Sequence, residues 1–145
     1  IQIKKPNRKI IVTNLEGPKN ASTDSYAKYT ITVENQGNKD EEKVRVIAYS
    51  YLMGIKETEI ISDLASNDEQ SITISIPIKK NTSAEDYAIT FSTEYEYSER
   101  QDYYKSESDE DDDIKKTITI YQKEETLQNL NQRKQKQMKQ KALQK

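Results

Sequence analysis

Residues 27–37, AKYTITVENQG, decide the fold predicted for this chain. Four apolar side chains alternate with four polar ones along this stretch, which is the period-two pattern of a half-buried strand. The apolar set is Ala27, Tyr29, Ile31 and Val33, and the polar set is Lys28, Thr30, Thr32 and Glu34. The stretch ends in a polar turn, residues 35–38, NQGN. Later apolar segments must therefore pair with this strand or cover its apolar face.

Six other short segments also have the composition of strands, and no long helical pattern separates them. They are residues 9–15, 43–53, 56–61, 70–78, 87–97 and 114–121. We predict loops at 16–24, 62–69, 79–86 and 98–113, and we expect Leu64 to plug one end of the core. The pattern predicts an all-β fold over residues 1–121, an immunoglobulin-like antiparallel β-sandwich of about seven strands.

Single residues add detail to three of these strands. In segment 43–53 one predicted face carries Val44, Val46, Ala48 and Leu52, and the other carries Arg45, Ile47, Tyr49 and Tyr51. The second face is either covered by other groups or forms an exposed patch. Charged residues predict that 56–61 is an edge strand, and Pro77 either ends the hydrogen bonding of its strand or marks an edge. Segment 87–97 should present six alternate side chains, Tyr87 to Tyr97, on one face, with Tyr87 either an ordinary core residue or a tyrosine corner.

The last segment, residues 122–145, differs in composition and is predicted to be a separate helical tail. It is rich in Gln, Lys and Leu and contains no Gly, Pro or β-branched residue after Thr126. Residues 123–145 contain seven basic and two acidic residues, whereas the first 122 contain 16 basic and 23 acidic residues. This division indicates contacts between copies or with an acidic partner, or else two separately solvated surfaces.

The composition bears on the class of function. The chain has no Cys and no His, so it lacks the usual thiol nucleophile, general base and zinc ligands. It contains no phosphate-binding glycine loop and no nucleophile motif. We therefore expect a non-enzymatic domain without a cofactor. The sequence begins at Ile1 and shows no signal peptide or membrane-spanning run, as in a piece cut from a longer protein.

The order of the β-segments resembles that of the CARDB-type and related immunoglobulin-like modules of prokaryotic surface proteins. Those modules have a strand that ends in a V-x-N-x-G turn, which Val33 to Gly37 match here. They also have a D-L-x-x-G-E loop, matched by residues 63–69, DLASNDE, with Asn67-Asp68 where glycine is usual. Asn tolerates a positive φ, so the turn remains feasible. The resemblance covers residues 9–121, and the lumenal domain of the translocon-associated protein α subunit is similar too.

The resemblance implies a spacer, adhesion unit or assembly unit. We therefore predict a structural, protein–protein interaction module of an extracellular surface or filamentous assembly, with the tail as a linker or docking arm. The candidate interaction residues are Ile47, Tyr49, Tyr51, Tyr103, Tyr104, Asp109, Asp111, Asp113, Arg133 and Lys134. One alternative is a carbohydrate- or calcium-binding module, and another is a lumenal accessory subunit of a membrane complex whose membrane segment lies outside this chain.

Other candidate sites give weaker signals. The run from Asp109 to Asp113 offers carboxylates for Ca²⁺, but Ile114 and Ile120 stand where an EF-hand requires Gly and Glu. A solvated loop is the simpler interpretation. Asn20 and Asn81 begin N-glycosylation sequons, which matter only in a secreted protein. The basic tail has no aromatic residue, so no nucleic-acid partner is expected.

Overall fold

The computed structural model describes residues 7–123, and over this range the chain forms nine β-strands and one short 3₁₀ turn. The strands are β1 (Ile10–Glu16), β2 (Asn20–Ser22), β3 (Ser25–Asn35), β4 (Glu41–Ser50), β5 (Ile55–Leu64), β6 (Glu69–Ile78), β7 (Asp86–Ser98), β8 (Tyr103–Glu107) and β9 (Ile114–Tyr121). The 3₁₀ turn spans Glu110–Asp112. Within the described range no helix is long and apolar enough to cross a membrane.

The strands form two sheets, and the all-β sandwich expected from the sequence is confirmed. The smaller sheet has the order β1-β3-β6 and is antiparallel throughout. The larger sheet has the order β2-β9-β7-β4-β5, with β2 parallel to β9 and the other pairs antiparallel. Strand β8 also pairs with β7, at the C-terminal part of β7 that follows the residues paired with β9.

One apolar core lies between the sheets. Alternate side chains of β3, the strand first recognised in the sequence, are buried: Ala27, Tyr29, Ile31 and Val33 are at most 1% exposed. The Tyr29 ring of the smaller sheet lies 5.4 Å from the Phe91 ring of the larger sheet, centroid to centroid. The Thr93 hydroxyl of β7 donates to the Ile10 carbonyl of β1, 2.9 Å away. The two sheets are therefore joined by packing and by a buried hydrogen bond.

Several detailed expectations about single residues are confirmed. Strand β5 ends the larger sheet and β6, which contains Pro77, ends the smaller one. Leu64 is fully buried. Asn67 adopts φ +71°, as the substituted loop motif requires. Tyr87 is a core residue whose hydroxyl also donates to the Ser83 carbonyl, four residues upstream, as in a tyrosine corner.

Other expectations are wrong. The predicted loops at 16–24 and 98–113 contain β2 and β8, which are short, polar and held by their neighbours rather than by an apolar pattern. Leu52 is 85% exposed, because the β4–β5 turn carries it away from the core. Tyr97 does not join the core set of β7: the preceding Glu96 has φ +59°, and the ring contacts Lys43 and Tyr104 instead. The predicted tail helix lies outside the described residues.

Asn35 connects three parts of the chain at one end of the sandwich. Its side-chain amide nitrogen donates to the carbonyls of Lys39 and Leu64, at 2.8 and 3.0 Å. Its side-chain oxygen accepts from the Gly37 amide at 2.9 Å. Its backbone amide donates to Asp68, and its carbonyl accepts from the Asn67 amide. The fully buried Asn35 thus fixes the β3–β4 turn against the β5–β6 turn.

Gly37 completes this turn because a side chain would not fit there. A Cβ at this position would lie 2.8–2.9 Å from backbone atoms of Asn7 and Arg8. The neighbouring Gln36 amide donates to the Lys9 carbonyl. The N-x-G part of the motif therefore packs the turn against the segment that leads into β1.

An ion pair between a buried carboxylate and a half-buried arginine closes the same end of the sandwich. Glu41 is 1% exposed and accepts from the Arg8 guanidinium at 2.9 Å and from the Glu96 backbone amide at 2.9 Å. Arg8 also pairs with the Glu96 carboxylate at 3.2 Å. Burial raises the pKa of Glu41 above its usual value, and the hydrogen bond from Glu96 and the charge of Arg8 only partly oppose this effect.

Replacing Asn35 by Asp should destabilise the fold although the shape of the side chain is kept. Asp cannot donate, so the Lys39 and Leu64 carbonyls lose their donors and face a carboxylate. The expected loss in the free energy of unfolding is about 3 kcal/mol, since a buried polar group left unpaired costs about 1–3 kcal/mol. Chemical denaturation of N35D measures it. The matched control is N38D at an exposed position of the same turn, and equal losses in both variants would contradict the role of Asn35.

Glu41 should give the stability a recognisable pH dependence. Because its folded-state pKa is raised, the folded protein binds this proton at higher pH than the unfolded chain does. The contribution of Glu41 is therefore fully present below the unfolded value near 4.5 and is lost as the pH rises through the folded value. The free energy of unfolding of wild type relative to E41Q should increase on acidification through this interval. The exposed E59Q is the control, and identical profiles for E41Q and E59Q would refute the prediction.

Candidate functional site

A groove of about 730 Å³ lies on the side of the larger sheet that faces away from the core. Its floor comes from β4 and β7, one wall from the β4–β5 turn, and the other wall from the segment between β8 and β9. The described residues that line it are Ile47, Tyr49, Ser50, Tyr51, Gly54, Ile55, Lys56, Ser92, Thr93, Glu94, Glu107, Ser108, Asp109, Glu110 and Asp113. We call this the outer groove.

The first wall of the outer groove is aromatic. On β4, Val44, Val46 and Ala48 point into the core, so the alternating Ile47 and Tyr49 point outwards. The Tyr49 and Tyr51 rings lie 5.2 Å apart, centroid to centroid, in a tilted arrangement. Ile47 is 6% exposed and Tyr51 is 89% exposed. The second predicted face of segment 43–53 is thus covered at Ile47, within β4, and exposed at Tyr51, in the turn that follows β4.

The second wall is acidic and is created by a change of partner along β7. Residues 86–91 of β7 pair with β9, and residues 94–98 pair with β8. At the junction, the Ser108 amide donates to the Thr93 carbonyl, and the Thr93 amide donates to the Ser108 hydroxyl oxygen, 2.9 Å away. Between these contacts and Ile114 the chain leaves the sheet as a five-residue excursion, residues 109–113 with sequence DEDDD. Glu107 and three residues of this excursion, Asp109, Glu110 and Asp113, form the wall.

The acidic wall has a defined internal geometry. The Ser108 hydroxyl donates to the Asp113 carboxylate at 2.6 Å, and the Asp112 amide donates to the Asp109 carbonyl at 2.9 Å. Burial raises the pKa of Asp113, and the charges of nearby carboxylates act in the same direction, while the Ser108 hydrogen bond opposes them. Burial, followed by the charge of Asp109, raises the pKa of Tyr95 beneath this wall. The wall is therefore a region of concentrated negative charge.

A cluster of cations and aromatic rings continues the same face beyond the groove. The Lys43 ammonium lies 4.5 Å from the centroid of the Tyr97 ring, and the Arg45 guanidinium lies 4.5 Å from that of Tyr104. The Tyr97 and Tyr104 rings are 5.1 Å apart. These distances are those of cation–π interactions.

The structure brings only part of the predicted interaction residues together. Ile47, Tyr49, Tyr51, Asp109 and Asp113 line the outer groove. Three others lie outside its lining: Tyr104 joins the cation–aromatic cluster, Tyr103 is on β8, and Asp111 is exposed in the 3₁₀ turn. Arg133 and Lys134 lie outside the described residues.

Sequence reasoning missed Lys56 and Glu94 as groove residues. Glu94 alternates with core residues on β7, so a solvent-facing position could have been inferred, but its place beside β4 depends on the pairing of Arg45 with Glu94. Glu107 and Glu110 lie in the segment predicted as a loop over 98–113, but only the structure places them at the groove.

The chemistry available at the groove is binding by ion pairing and by contact with aromatic rings. Within residues 7–123 no group of three or more acidic side chains is arranged to hold a metal ion.

Comparison with known proteins gives both a family and a fold. The CARDB family model matches residues 7–117. The fold resembles the crystal structure of a CARDB domain from Pyrococcus furiosus in complex with di-metal ions, with a TM-score of 0.55 and 16% identity over 83% of this chain and 95% of that chain. No curated protein matches the chain.

Two further solved structures share the fold. A Niemann-Pick type C2 protein from the Japanese carpenter ant has a TM-score of 0.50 and 11% identity, covering 81% of this chain and 96% of that chain. A β-glucosidase from Listeria innocua, in complex with laminaribiose, has a TM-score of 0.51 and 11% identity, covering 79% of this chain and 16% of that chain. At these identities the likeness concerns the fold alone.

Replacing Ser108 by Ala should alter the acidic wall in a measurable way. The variant removes the hydrogen bond that lowers the pKa of Asp113, so the Asp113 carboxyl should titrate at a higher pH than in wild type. It also removes the acceptor of the Thr93 amide, which should cost about 1 kcal/mol of stability. NMR titration of the side-chain carboxyl carbons measures the first effect. The control is S106A, because the Ser106 hydroxyl donates to Glu96 and not to Asp113. This variant should leave the titration of Asp113 unchanged. An equal change in both variants would contradict the role of Ser108.

Proposed function

The chain belongs to the CARDB family, and we propose that it is a protein–protein interaction module of a surface or filamentous assembly that binds through the outer groove. CARDB domains are non-catalytic and occur in surface and extracellular proteins. Membership of the family establishes the class of domain. The role in assembly and the extracellular location are our proposals for this chain. A lumenal location stays an alternative that depends on sequence outside this chain.

The observation that carries the proposal is the exposure of large apolar side chains beside the groove. Tyr51 and Leu52 are 89% and 85% exposed, and Tyr49, whose ring lies beside that of Tyr51, is partly buried. Exposed tyrosines are enriched in interfaces because one ring combines apolar contact area with a hydrogen-bonding hydroxyl. The rigid strands β4 and β7 hold the floor, so binding costs little ordering of the backbone.

The arrangement of charge supports selectivity for the partner. The acidic wall stands opposite the aromatic wall, so a ligand must present positive charge on one side and apolar surface on the other. Like-charge contact would disfavour an acidic partner. The proposed partner is therefore a protein surface or segment that is basic and partly apolar.

A second candidate function is carbohydrate binding. The tilted pair Tyr49 and Tyr51 next to carboxylates combines a stacking surface with hydrogen-bond acceptors. Calorimetric titration with a panel of neutral oligosaccharides tests it. Binding that is lost in a Y49S/Y51S variant would favour this candidate over a protein partner.

The protein-interaction proposal predicts that Y49S/Y51S associates more weakly than wild type. The dissociation constant for self-association should rise at least about 10-fold, as expected when aromatic contacts at the centre of an interface are removed. Size-exclusion chromatography with light scattering over a concentration series measures this change, and circular dichroism checks that the fold is kept.

The matched control is Y26S, which removes a tyrosine that is 70% exposed on the smaller sheet. It should associate like wild type. A monomeric wild type at all concentrations, or unchanged association of Y49S/Y51S, would overturn self-assembly through the outer groove.

A further inference from the structure

We infer that the outer groove binds the basic C-terminal segment of this chain, residues 133–145, supplied by the same or a neighbouring copy. The inference rests on the proposed function, because it takes the groove to be a binding surface and identifies its occupant. It requires that the segment match the groove in charge, in apolar surface and in reach.

The charges of the two partners are complementary. Among the described residues that line the groove are five carboxylates, those of Glu94, Glu107, Asp109, Glu110 and Asp113, and one cation, Lys56. Residues 133–145 contain six cations, Arg133, Lys134, Lys136, Lys139, Lys141 and Lys145, and no acidic residue. No other stretch of thirteen residues in the chain contains as many cations without an acidic residue. The attraction is strongest at low ionic strength, because salt screens exposed charges.

The apolar requirement is met as well. A lysine side chain can place its methylene stem on an aromatic ring and keep its ammonium in water beside a carboxylate. The same protein already uses this kind of contact, in Lys43 over Tyr97 and Arg45 over Tyr104, each at 4.5 Å. Met138 and Leu143 of the segment provide apolar groups for the exposed Tyr51 and Leu52.

The segment can also reach the groove. Strand β9 begins at Ile114, next to the acidic wall, and ends at Tyr121, about 24 Å away at about 3.4 Å per residue. Gln122 and Lys123 are hydrogen-bonded to Thr82 and Thr23. The nine residues 124–132 that lead from them to the basic segment can span at most about 32 Å when extended. The linker is therefore long enough for the basic segment to reach the groove of its own copy. In binding to a neighbouring copy, the length of the linker is not a constraint.

Paramagnetic NMR on the full chain tests the inference. The chain has no cysteine, so Q140C accepts a single nitroxide label within the basic segment. Backbone amide signals of groove residues such as Gly54, Lys56 and Ser92 should lose intensity several-fold relative to the reduced label, and high salt should restore them. A second sample mixes nitroxide-labelled chains at natural isotope abundance with ¹⁵N-labelled chains that carry no nitroxide. Signal loss in this mixture shows a contact between two copies, and its absence assigns the contact to a single copy.

The groove variant for this experiment is E107Q/D109N/E110Q, which neutralises three exposed carboxylates of the acidic wall. It should abolish the loss of signal. The control E59Q/D68N/E69Q neutralises two Glu and one Asp that are exposed elsewhere and should leave the signal loss unchanged. Signal loss that is absent, is centred away from the groove, or is equal in both variants would overturn the inference.

Failure of this inference can be told apart from failure of the proposed function. If the label shows no contact but Y49S/Y51S still loses self-association, the groove binds another surface and only its occupant has been misassigned. If the label shows no contact and the tyrosine variant also behaves like wild type, the proposed function fails with it.

Discussion

The hydrogen bonding of one buried amide, that of Asn35, underlies the arrangement of both sheets. The chain leaves the smaller sheet at this residue and enters the larger one six residues later, at Glu41. Each carbonyl or amide in this tight turn needs a partner, because an unpaired buried polar group costs about 1–3 kcal/mol. An Asn side chain can donate two hydrogen bonds and also accept. Here Asn35 donates to the carbonyls of Lys39 and Leu64 and accepts from the Gly37 amide. This explains in physical terms why the V-x-N-x-G turn accompanies the fold.

The position of the turn sets which side of β4 faces the solvent. Because side chains alternate along a strand, a shift of one residue would move Val46 out of the core and bring Arg45 and Ile47 into it. Glu41, held by Arg8 and the Glu96 amide, fixes the first residue of β4. The outward direction of Tyr49, and with it the aromatic wall, is therefore a consequence of how the opposite end of the sandwich is built.

The acidic wall has a different origin, in the edge of the larger sheet. Strand β7 is too long for one partner on that side, so β9 and β8 divide it between them. The chain between the two partners must leave the sheet, and in this protein that excursion is filled with carboxylates. Their mutual repulsion raises the pKa of Asp113 further than burial alone would. Such a concentration of charge, placed opposite exposed tyrosines, suits a surface whose partner neutralises it.

The all-β fold, the buried faces of β3, β4 and β6, and the edge position of β5 could be predicted from the sequence alone. This was possible because the alternation of apolar and polar side chains is local and is read directly from the chain. The sequence also singled out Tyr49, Tyr51 and Asp109 by composition. That these residues meet, that Leu52 and Tyr97 lie outside the core, and that β2 and β8 exist became visible only in the folded structure. Their positions depend on pairing between segments far apart in the chain and on the positive φ of Glu96 within β7, which side-chain alternation does not encode.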